Sequence, residues 1–181
     1  MKNLDEAVEN PTGKTALAGK YLTFSLAGEE YGIGILKVKE IIGMMTVTPI
    51  PRLPAFVKGV INLRGKVIPV IDLRLKFGME SAEYSERTCI IVVEIREGDM
   101  TVPIGLVVDS VSEVLNVRDE QVEPPPSFGT RLRTGYILGM AKDEKSVKIL
   151  LDIDRILTAE TMEMLRDGVD EKSVKGGEQD D

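Results

Sequence analysis

Two strongly apolar runs, residues 60–63 and 67–71, stand on either side of a short charged turn at residues 64–66. Runs of this length, rich in β-branched residues, are typical of strands, and the glycine of the turn can adopt a positive φ. The pattern therefore predicts a β-hairpin with Arg64 at its turn. Pro69 has no N–H group to donate, which predicts that the second strand is an edge strand or is bulged at Pro69.

Similar pairs of apolar segments recur along the chain and predict further hairpins. They are residues 21–26 with 31–35, 88–95 with 100–108, and 135–141 with 146–152. Turn-forming residues separate the two segments of each pair. About nine or ten short strands without β-α-β alternation predict a mainly all-β fold of one or two small antiparallel barrels.

Helical spacing of apolar residues is confined to two segments. Residues 35–42 show it and predict a short amphipathic helical turn, with Glu40 on the polar side. Residues 153–165 show it again and predict a C-terminal helix, in which Thr158 caps a second turn. Between these segments, three prolines within residues 44–54 predict an extended connector.

The two ends of the chain differ in composition from its centre. Residues 1–19 are polar without a sustained period, and residues 167–181 are charged and contain glycines. We expect both to be disordered, which leaves residues 20–166 as a single domain. We find no signal-peptide pattern and no apolar run of about 18 residues. The protein is therefore expected to be cytoplasmic and not to insert directly into a membrane.

The composition disfavours a nucleic-acid surface and excludes every catalytic or metal site that needs a histidine. The chain has 23 Lys and Arg against 30 Asp and Glu, a net charge of −7, and no Trp or His. A nucleic-acid surface needs a basic face and stacking aromatics, so an oligonucleotide-binding barrel is a disfavoured alternative, which salt-dependent binding of single-stranded DNA would support. Without histidine there is no Ser-His or Cys-His pair and no histidine-ligated metal site. We expect no enzymatic activity, no cofactor and no metal.

Paired carboxylates are the catalytic option that this composition leaves. Five acidic residues stand at predicted strand ends or turns: Asp72, Asp109, Glu113, Asp152 and Asp154. Acidic residues at such positions commonly act as caps and turn formers, and an acid–base or metal site is the alternative. A divalent metal that raised the melting temperature would support that alternative. The lone cysteine, Cys89, lies in an apolar run and is expected to be a buried thiol.

Two side chains are candidates for contact with a partner. Arg64 is a solvated turn charge, an intramolecular partner of Glu40 or a contact in a protein interface, and the last two are compatible. The planar fork of arginine favours bidentate pairing with a carboxylate. Phe128 follows three prolines and either covers a barrel end or is an exposed anchor for a partner. The residues alone leave these alternatives open.

Several blocks of sequence, in a fixed order, resemble one known family. Two of the most specific are Pro-Ala-Phe-Val-Lys-Gly-Val-Ile-Asn-Leu-Arg-Gly at residues 54–65 and Pro-Val-Ile-Asp-Leu-Arg at residues 69–74. Further blocks are residues 30–33, 36–41 and 107–115. On these motifs the chain resembles the CheW family of bacterial chemotaxis coupling proteins from about Tyr21 to Leu165.

The resemblance implies a fold of two intertwined five-stranded SH3-like β-barrels with short helices and a C-terminal helix. It also implies a non-catalytic adaptor, which joins methyl-accepting chemotaxis receptors to the regulatory domain of the histidine kinase CheA. Such adaptors act in signalling arrays at the inner face of the membrane.

The resemblance also assigns residues by position. Glu40 and Arg64 match an acidic and basic pair near the receptor and kinase contact region, beside Val38, Gly59 and Gly65. An apolar groove between the barrels, where a receptor hairpin tip would lie, is matched by Ile35, Val67, Ile104 and Val108.

Phe128 matches an aromatic residue through which the second barrel meets a neighbouring kinase regulatory domain, which favours its interpretation as an anchor. Ser127 replaces the acidic residue of some relatives. The hairpin around residues 97–100 is also longer than in the family pattern.

Overall fold

The computed structural model describes residues 17–125 and 135–157. The strands are β1 (Gly19–Leu26), β2 (Glu29–Gly34), β3 (Val38–Gly43), β4 (Val57–Leu63), β5 (Lys66–Asp72), β6 (Cys89–Glu97), β7 (Met100–Val108), β8 (Ser110–Val117), β9 (Val122–Glu123), β10 (Ile137–Lys142) and β11 (Val147–Leu151). The α-helices are α1 (Leu73–Lys76) and α2 (Ile153–Ile156), and 3₁₀ turns span Ile35–Lys37 and Asp119–Gln121.

These strands form two sheets. The first has the order β8-β1-β2-β11-β10-β9, and the second has the order β3-β6-β7-β5-β4. The chain therefore begins in the first sheet, builds the whole second sheet and then returns to the first. The prediction of a mainly β fold with two intertwined units is confirmed. The first sheet has six strands rather than five because the two-residue β9 pairs with β10.

The two sheets repeat one pairing scheme. In each sheet an antiparallel hairpin, β1–β2 or β6–β7, has an antiparallel strand on one side, β8 or β3. On its other side it pairs in parallel with a second hairpin, β10–β11 or β4–β5. The registers match, because Gly59 opposes Val70 and Gly139 opposes Leu150, each directly after a bulge. The two halves of the chain have thus exchanged their first hairpins.

The core consists of one shared cluster and two smaller ones. The shared core lies between the sheets and includes Phe24 and Ile33 from the first sheet and Ile91 and Leu106 from the second. A second cluster within the second sheet comprises Ile61, Ile68, Val70, Ile90, Val92 and Val107, and a third in the first sheet comprises Tyr21, Val117, Ala141 and Leu150. Consecutive residues of β6 join different clusters, which explains its continuous apolar run.

The helical turn predicted for residues 35–42 is wrong beyond its first three residues. The segment continues as β3, which pairs with β6 and alternates half-buried and exposed residues. Glu40 takes a half-buried position of this strand, whereas Ile41 is 44% exposed. This inversion of polarity hid the period of two that identifies a strand.

The prediction that Pro69 marks an edge strand or a bulge is also wrong. β5 lies between β7 and β4, and the bulge is in β4, directly before Gly59. Parallel pairing with β7 begins at Val70. Opposite Pro69, Val60 exchanges backbone hydrogen bonds of 2.8 and 2.9 Å with Thr48. The backbone groups of Val60 are thus already paired, and the missing N–H of Pro69 costs no hydrogen bond with β4.

Several predictions fall on residues outside the described ranges. Most of the N-terminal arm, the tail at residues 167–181 and the C-terminal helix beyond residue 157 are among them. None of the helices in residues 17–125 and 135–157 has the length and apolar character needed to cross a membrane.

Candidate functional site

The turn between β4 and β5 holds Arg64 in the left-handed region. Leu63 opposes Lys66, so the loop has two residues, with φ of 54° at Arg64 and 87° at Gly65. Two positive φ values are the signature of a type I′ hairpin turn, which the Gly65 N–H reinforces by donating to Asn62 Oδ1 at 2.8 Å. A non-glycine residue in this region costs about 1–2 kcal/mol. Such strain makes Arg64 a candidate for a functional side chain.

The side chain of Arg64 pairs with Glu40. Arg64 Nη2 donates to Oε1 at 2.7 Å and to Oε2 at 2.5 Å. Because β3 and β4 are the two edge strands of the second sheet, the pair bridges the two edges. Of the alternatives open for Arg64, the intramolecular pairing with Glu40 is the one that the structure contains. The side chains are 67% and 27% exposed, and exposed pairs contribute only about 0.2–1 kcal/mol to stability.

A small pocket, called here the Arg64 pocket, has this ion pair in its wall. Its volume is about 170 Å³, and it is lined by Lys39, Glu40, Leu63, Arg64, Lys66, Ile68, Val92 and Pro103. Ile68 and Val92 belong to the cluster within the second sheet, so the floor is apolar. Three of the charged residues are cations and one is an anion. The pocket therefore combines an apolar floor with a basic rim.

Gly59 supports this hairpin through its backbone. Its φ is 138°, and a Cβ atom there would lie 2.0 Å from the carbonyl oxygen of Thr48. The connector before β4 consequently packs directly on the strand only because residue 59 is glycine. The structure gives Gly59 this packing role.

The four residues predicted to line an apolar groove differ in accessibility. Ile35 is half-buried and packs against the shared core, and Val67 is 59% exposed beside Lys66. Val38, which was predicted to lie beside the Glu40–Arg64 pair, is half-buried as well. Ile104 and Val108 are 0% and 1% exposed. As a correction, these last two are core residues and line no open groove. Phe128 lies outside the described residues.

The carboxylate of Asp109 links the two sheets. Arg74 donates to it through Nε at 2.8 Å and Nη2 at 2.7 Å, and the Ala27 N–H donates to Oδ2 at 2.8 Å. Asp109 joins β7 of the second sheet to β8 of the first, Arg74 lies in α1 directly after β5 of the second sheet, and Ala27 lies in the turn between β1 and β2 of the first sheet. The hydrogen bonds from Arg74 lower the pKa of Asp109, and the same pairing raises the pKa of Arg74. We call this pair the inter-sheet clamp.

The other candidate carboxylates have structural partners. Asp72 caps α1 and accepts a 3.1 Å hydrogen bond from Tyr84, whose pKa burial raises to about 12. Asp152 caps α2, and Asp154 lies 2.6 Å from Lys37. Within residues 17–125 and 135–157, no group of three or more Cys, Asp or Glu residues could hold a metal ion. These residues therefore act as caps and pairs.

Cys89 and Glu113 complete the set of candidate reactive groups. Cys89 is half-buried against the shared core, and burial raises the pKa of its thiol. Glu113 is exposed on β8, and its backbone pairs with the hydroxyl of Thr23. Neither has the environment of an activated nucleophile or base.

Sequence reasoning missed most of the pocket wall and the Arg74 half of the clamp. Lys39 lies in a family block and Lys66 in the charged turn, but neither was singled out as a site residue, and Pro103 carries no local motif. An internal repeat was visible, however, because Val-Ile-Asp-Leu at residues 70–73 corresponds to Leu-Leu-Asp-Ile at residues 150–153. Aligning these two blocks would have placed β5 and β11 in equivalent positions.

Two sheets that exchange strands around one shared core, with a charged pair across the edges of one of them, define a class of small, mainly β domains. Residues 20–161 match the family model of the CheW-like domain, and the chain belongs to this family.

The relatives extend over most of the chain. The chemotaxis protein CheW of Klebsiella aerogenes is 43% identical over 81% of this chain and 86% of that protein. The chemotaxis protein CheW of Rhizobium meliloti is 34% identical over 78% of this chain and 89% of that protein. The crystal structure of the scaffolding protein TtCheW from Thermoanaerobacter tengcongensis has a TM-score of 0.69 at 37% identity, covering 80% of this chain and 96% of that one.

Proposed function

We propose that this chain is a non-catalytic chemotaxis adaptor that couples methyl-accepting chemotaxis receptors to the histidine kinase CheA in signalling arrays. The observation that carries the proposal is the 43% identity to a chemotaxis protein over most of both chains. The scaffolding relative of known structure supports the same role. The adaptor acts in the cytoplasm, at the membrane face where the arrays lie.

The first contact surface surrounds the β4–β5 turn. Arg64 is held there in a strained conformation with 67% of its side chain exposed, and Lys66 and Val67 follow it on the surface. An exposed arginine that is already oriented loses little side-chain entropy when it binds a partner. Gly65 makes this orientation possible, and Gly59 holds the hairpin against its connector.

The second part of this surface is the transition from β2 to β3. Ile35 and Val38 are half-buried there, so each offers part of an apolar side chain to a receptor hairpin. Ile104 and Val108 lie in the core, and their role is to support the surface residues that contact the partner. Apolar support of this kind fixes the shape of a contact without touching the partner.

We place a separate kinase contact at Phe128, within a domain spanning residues 20–166. An aromatic residue after three prolines loses little conformational entropy on binding. Two contacts on one rigid domain hold receptor and kinase at a fixed spacing, so the state of the receptor biases the kinase. The adaptor needs no chemistry of its own for this.

A pull-down with both partners tests the proposal. The full chain is immobilised and offered a receptor cytoplasmic fragment and CheA, separately and together. We expect it to retain each of them and to retain both at once. Failure to bind either partner, with a folded protein, would contradict the proposal.

A double-mutant cycle tests the part played by the Glu40–Arg64 pair. Glu40→Ala, Arg64→Ala and the double variant are compared for binding of each partner. Because the two side chains contact each other directly, we expect a coupling energy of at least about 0.5 kcal/mol. Strictly additive effects would show that the two residues act independently in binding.

A further inference from the structure

The Arg64 pocket has a counterpart in the first sheet. Val60 opposes Pro69 in the second sheet as Met140 opposes Ile149 in the first. Ile68, on the floor of the pocket, therefore corresponds to Lys148, the residue before Ile149. The repeated pairing scheme extends this correspondence to the other wall positions.

The counterpart position is filled by the chain itself. Lys148 is only 8% exposed, and its Nζ lies 3.4 Å from Glu30 Oε1 and 3.7 Å from Asp143 Oδ2. It also donates to Ser146 Oγ at 3.1 Å. By register, Glu30 and Asp143 correspond to Pro103 and Leu63 of the pocket. A long charged side chain between two opposite charges therefore occupies this site in the first sheet.

The second sheet has the same site with no such side chain and with the opposite charge. Pro103 and Leu63, which stand where the first sheet has Glu30 and Asp143, are apolar. The rim carries the cations Lys39, Arg64 and Lys66 and one anion, Glu40. Lys66 makes no ion pair within residues 17–125 and 135–157, whereas Lys39 lies 3.6 Å from Glu94 and Arg64 pairs with Glu40 through Nη2 alone. The side chain complementary to this rim is an anion.

Size narrows the choice of anion. A volume of about 170 Å³ is below the range of about 300–1,000 Å³ typical of small-molecule sites. A single side chain fits that space. The apolar floor suits methylene groups, and the cationic rim suits a terminal carboxylate. Glutamate combines both, whereas aspartate is shorter by one methylene.

We propose that the Arg64 pocket receives a glutamate side chain from a protein partner. The carboxylate pairs with Arg64 and Lys66, and the methylene groups lie against Ile68 and Pro103. This inference deepens the proposed adaptor function, on which it rests, by naming the chemistry of the partner at this surface.

The direct test is a nuclear magnetic resonance titration of the full chain with N-acetyl-glutamate N-methylamide. The glutamine and aspartate analogues serve as controls. We expect backbone shift changes centred on Lys66, Ile68 and Val92, with the glutamate probe binding about tenfold more tightly than the glutamine probe because of its charge. Equal binding of these two probes, or shifts centred elsewhere, would overturn the proposal.

A charge-removal variant provides the matched comparison. Lys66→Ala should reduce the preference for glutamate over glutamine by about fivefold or more, since it removes one of two charge-assisted contacts. Lys145→Ala, an exposed lysine in the equivalent turn of the first sheet, should leave the preference unchanged. If Lys66→Ala kept the full preference, the assigned contact would be wrong.

A transplant of the first-sheet arrangement links the pocket to the partners. Ile68→Lys with Pro103→Glu should fill the pocket and abolish binding of the glutamate probe. If this variant folds, it should also lose binding of a receptor fragment or of CheA by about tenfold. Unchanged partner binding would overturn the pocket inference and leave the adaptor function standing. If the wild type bound neither partner, the adaptor function would fail, and the probe titration would still decide the chemistry of the pocket.

Discussion

Two arginine–carboxylate pairs of this protein differ in geometry and in surroundings. Arg64 and Glu40 bridge the edges of the second sheet, with side chains 67% and 27% exposed. Arg74 and Asp109 form the inter-sheet clamp, with side chains 20% and 32% exposed. Arg64 donates to both oxygens of Glu40 through the single atom Nη2, whereas Arg74 donates to the two oxygens of Asp109 through Nε and Nη2. Geometry, burial of the arginine and further partners therefore distinguish the two pairs.

The clamp has contacts that the exposed pair lacks. Asp109 also accepts from the Ala27 N–H at 2.8 Å, and Arg74 donates to the Glu80 carbonyl at 3.2 Å. Removing Asp109 leaves the Arg74 guanidinium, 20% exposed, and the Ala27 N–H without this acceptor, which is costly. Removing Arg64 leaves one carboxylate, that of Glu40, which is 27% exposed and still contacts water. The comparison indicates that the clamp maintains the fold and that the exposed pair is available for binding.

The largest expected effect comes from breaking the clamp. Asp109→Ala should lower the free energy of unfolding by about 2–4 kcal/mol, because it leaves Arg74 Nε and Nη2 and the Ala27 N–H without their acceptor. Urea denaturation measures this change. Asp99→Ala, an exposed aspartate in the β6–β7 turn, is the control and should cost less than about 0.5 kcal/mol. Equal costs for the two variants would remove the distinction between the pairs.

Removing Arg64 should have the opposite effect: a large loss of partner binding and a small loss of stability. Arg64→Ala should weaken binding of a receptor fragment or of CheA by about 1–3 kcal/mol and change stability by less than about 1 kcal/mol. Calorimetric titration and urea denaturation measure the two quantities. Arg118→Ala is a matched control, because Arg118 is also 67% exposed and ion-paired. A similar loss of binding in this control would show that the effect is not specific to the turn.

The pH dependence of stability distinguishes the clamp further. Because the pKa of Asp109 is lowered in the folded state, its contribution is fully present above the unfolded pKa of about 4. That contribution is lost as the pH falls through the folded pKa. The stability difference between wild type and Asp109→Asn should therefore narrow below about pH 4. A difference that stayed constant from pH 7 to pH 2 would contradict the assignment.

The smallest expected effect separates backbone strain from charge at Arg64. Asparagine tolerates a positive φ better than alanine does, so Arg64→Asn should be more stable than Arg64→Ala by about 0.5–1 kcal/mol. Both variants lack the charge and should bind partners equally weakly. Thermal unfolding at one pH gives the difference. Equal stability would mean that the turn relaxes when the arginine is removed.

Much of the fold was predictable because burial repeats regularly along the strands. The hairpins at residues 57–72 and 137–151 were visible as apolar runs around polar turns. β3 was not, since Glu40 occupies a half-buried position for the sake of its pair with Arg64. The order of strands across the sheets was not predictable from local pattern, because each sheet combines strands from both halves of the chain.

The candidate site was predictable only where a side chain had a local reason to be unusual. Arg64 was identifiable from its place in a short charged turn, and its pairing with Glu40 was one of the open alternatives. The pocket wall was not identifiable, because Lys39, Lys66 and Pro103 come from three separate strands. Asp109 was identifiable as a candidate carboxylate, but its role depends on contacts with both sheets.

A charge reversal across the exposed pair tests the central claim most directly. Glu40→Arg combined with Arg64→Glu keeps an intramolecular ion pair but presents the opposite charge to a partner. If the pair serves binding, this variant should unfold within about 1 kcal/mol of wild type and bind receptor fragment and CheA as weakly as Arg64→Ala does. Restoration of wild-type affinity by the swap would show that the pair serves the fold, and it would contradict the account.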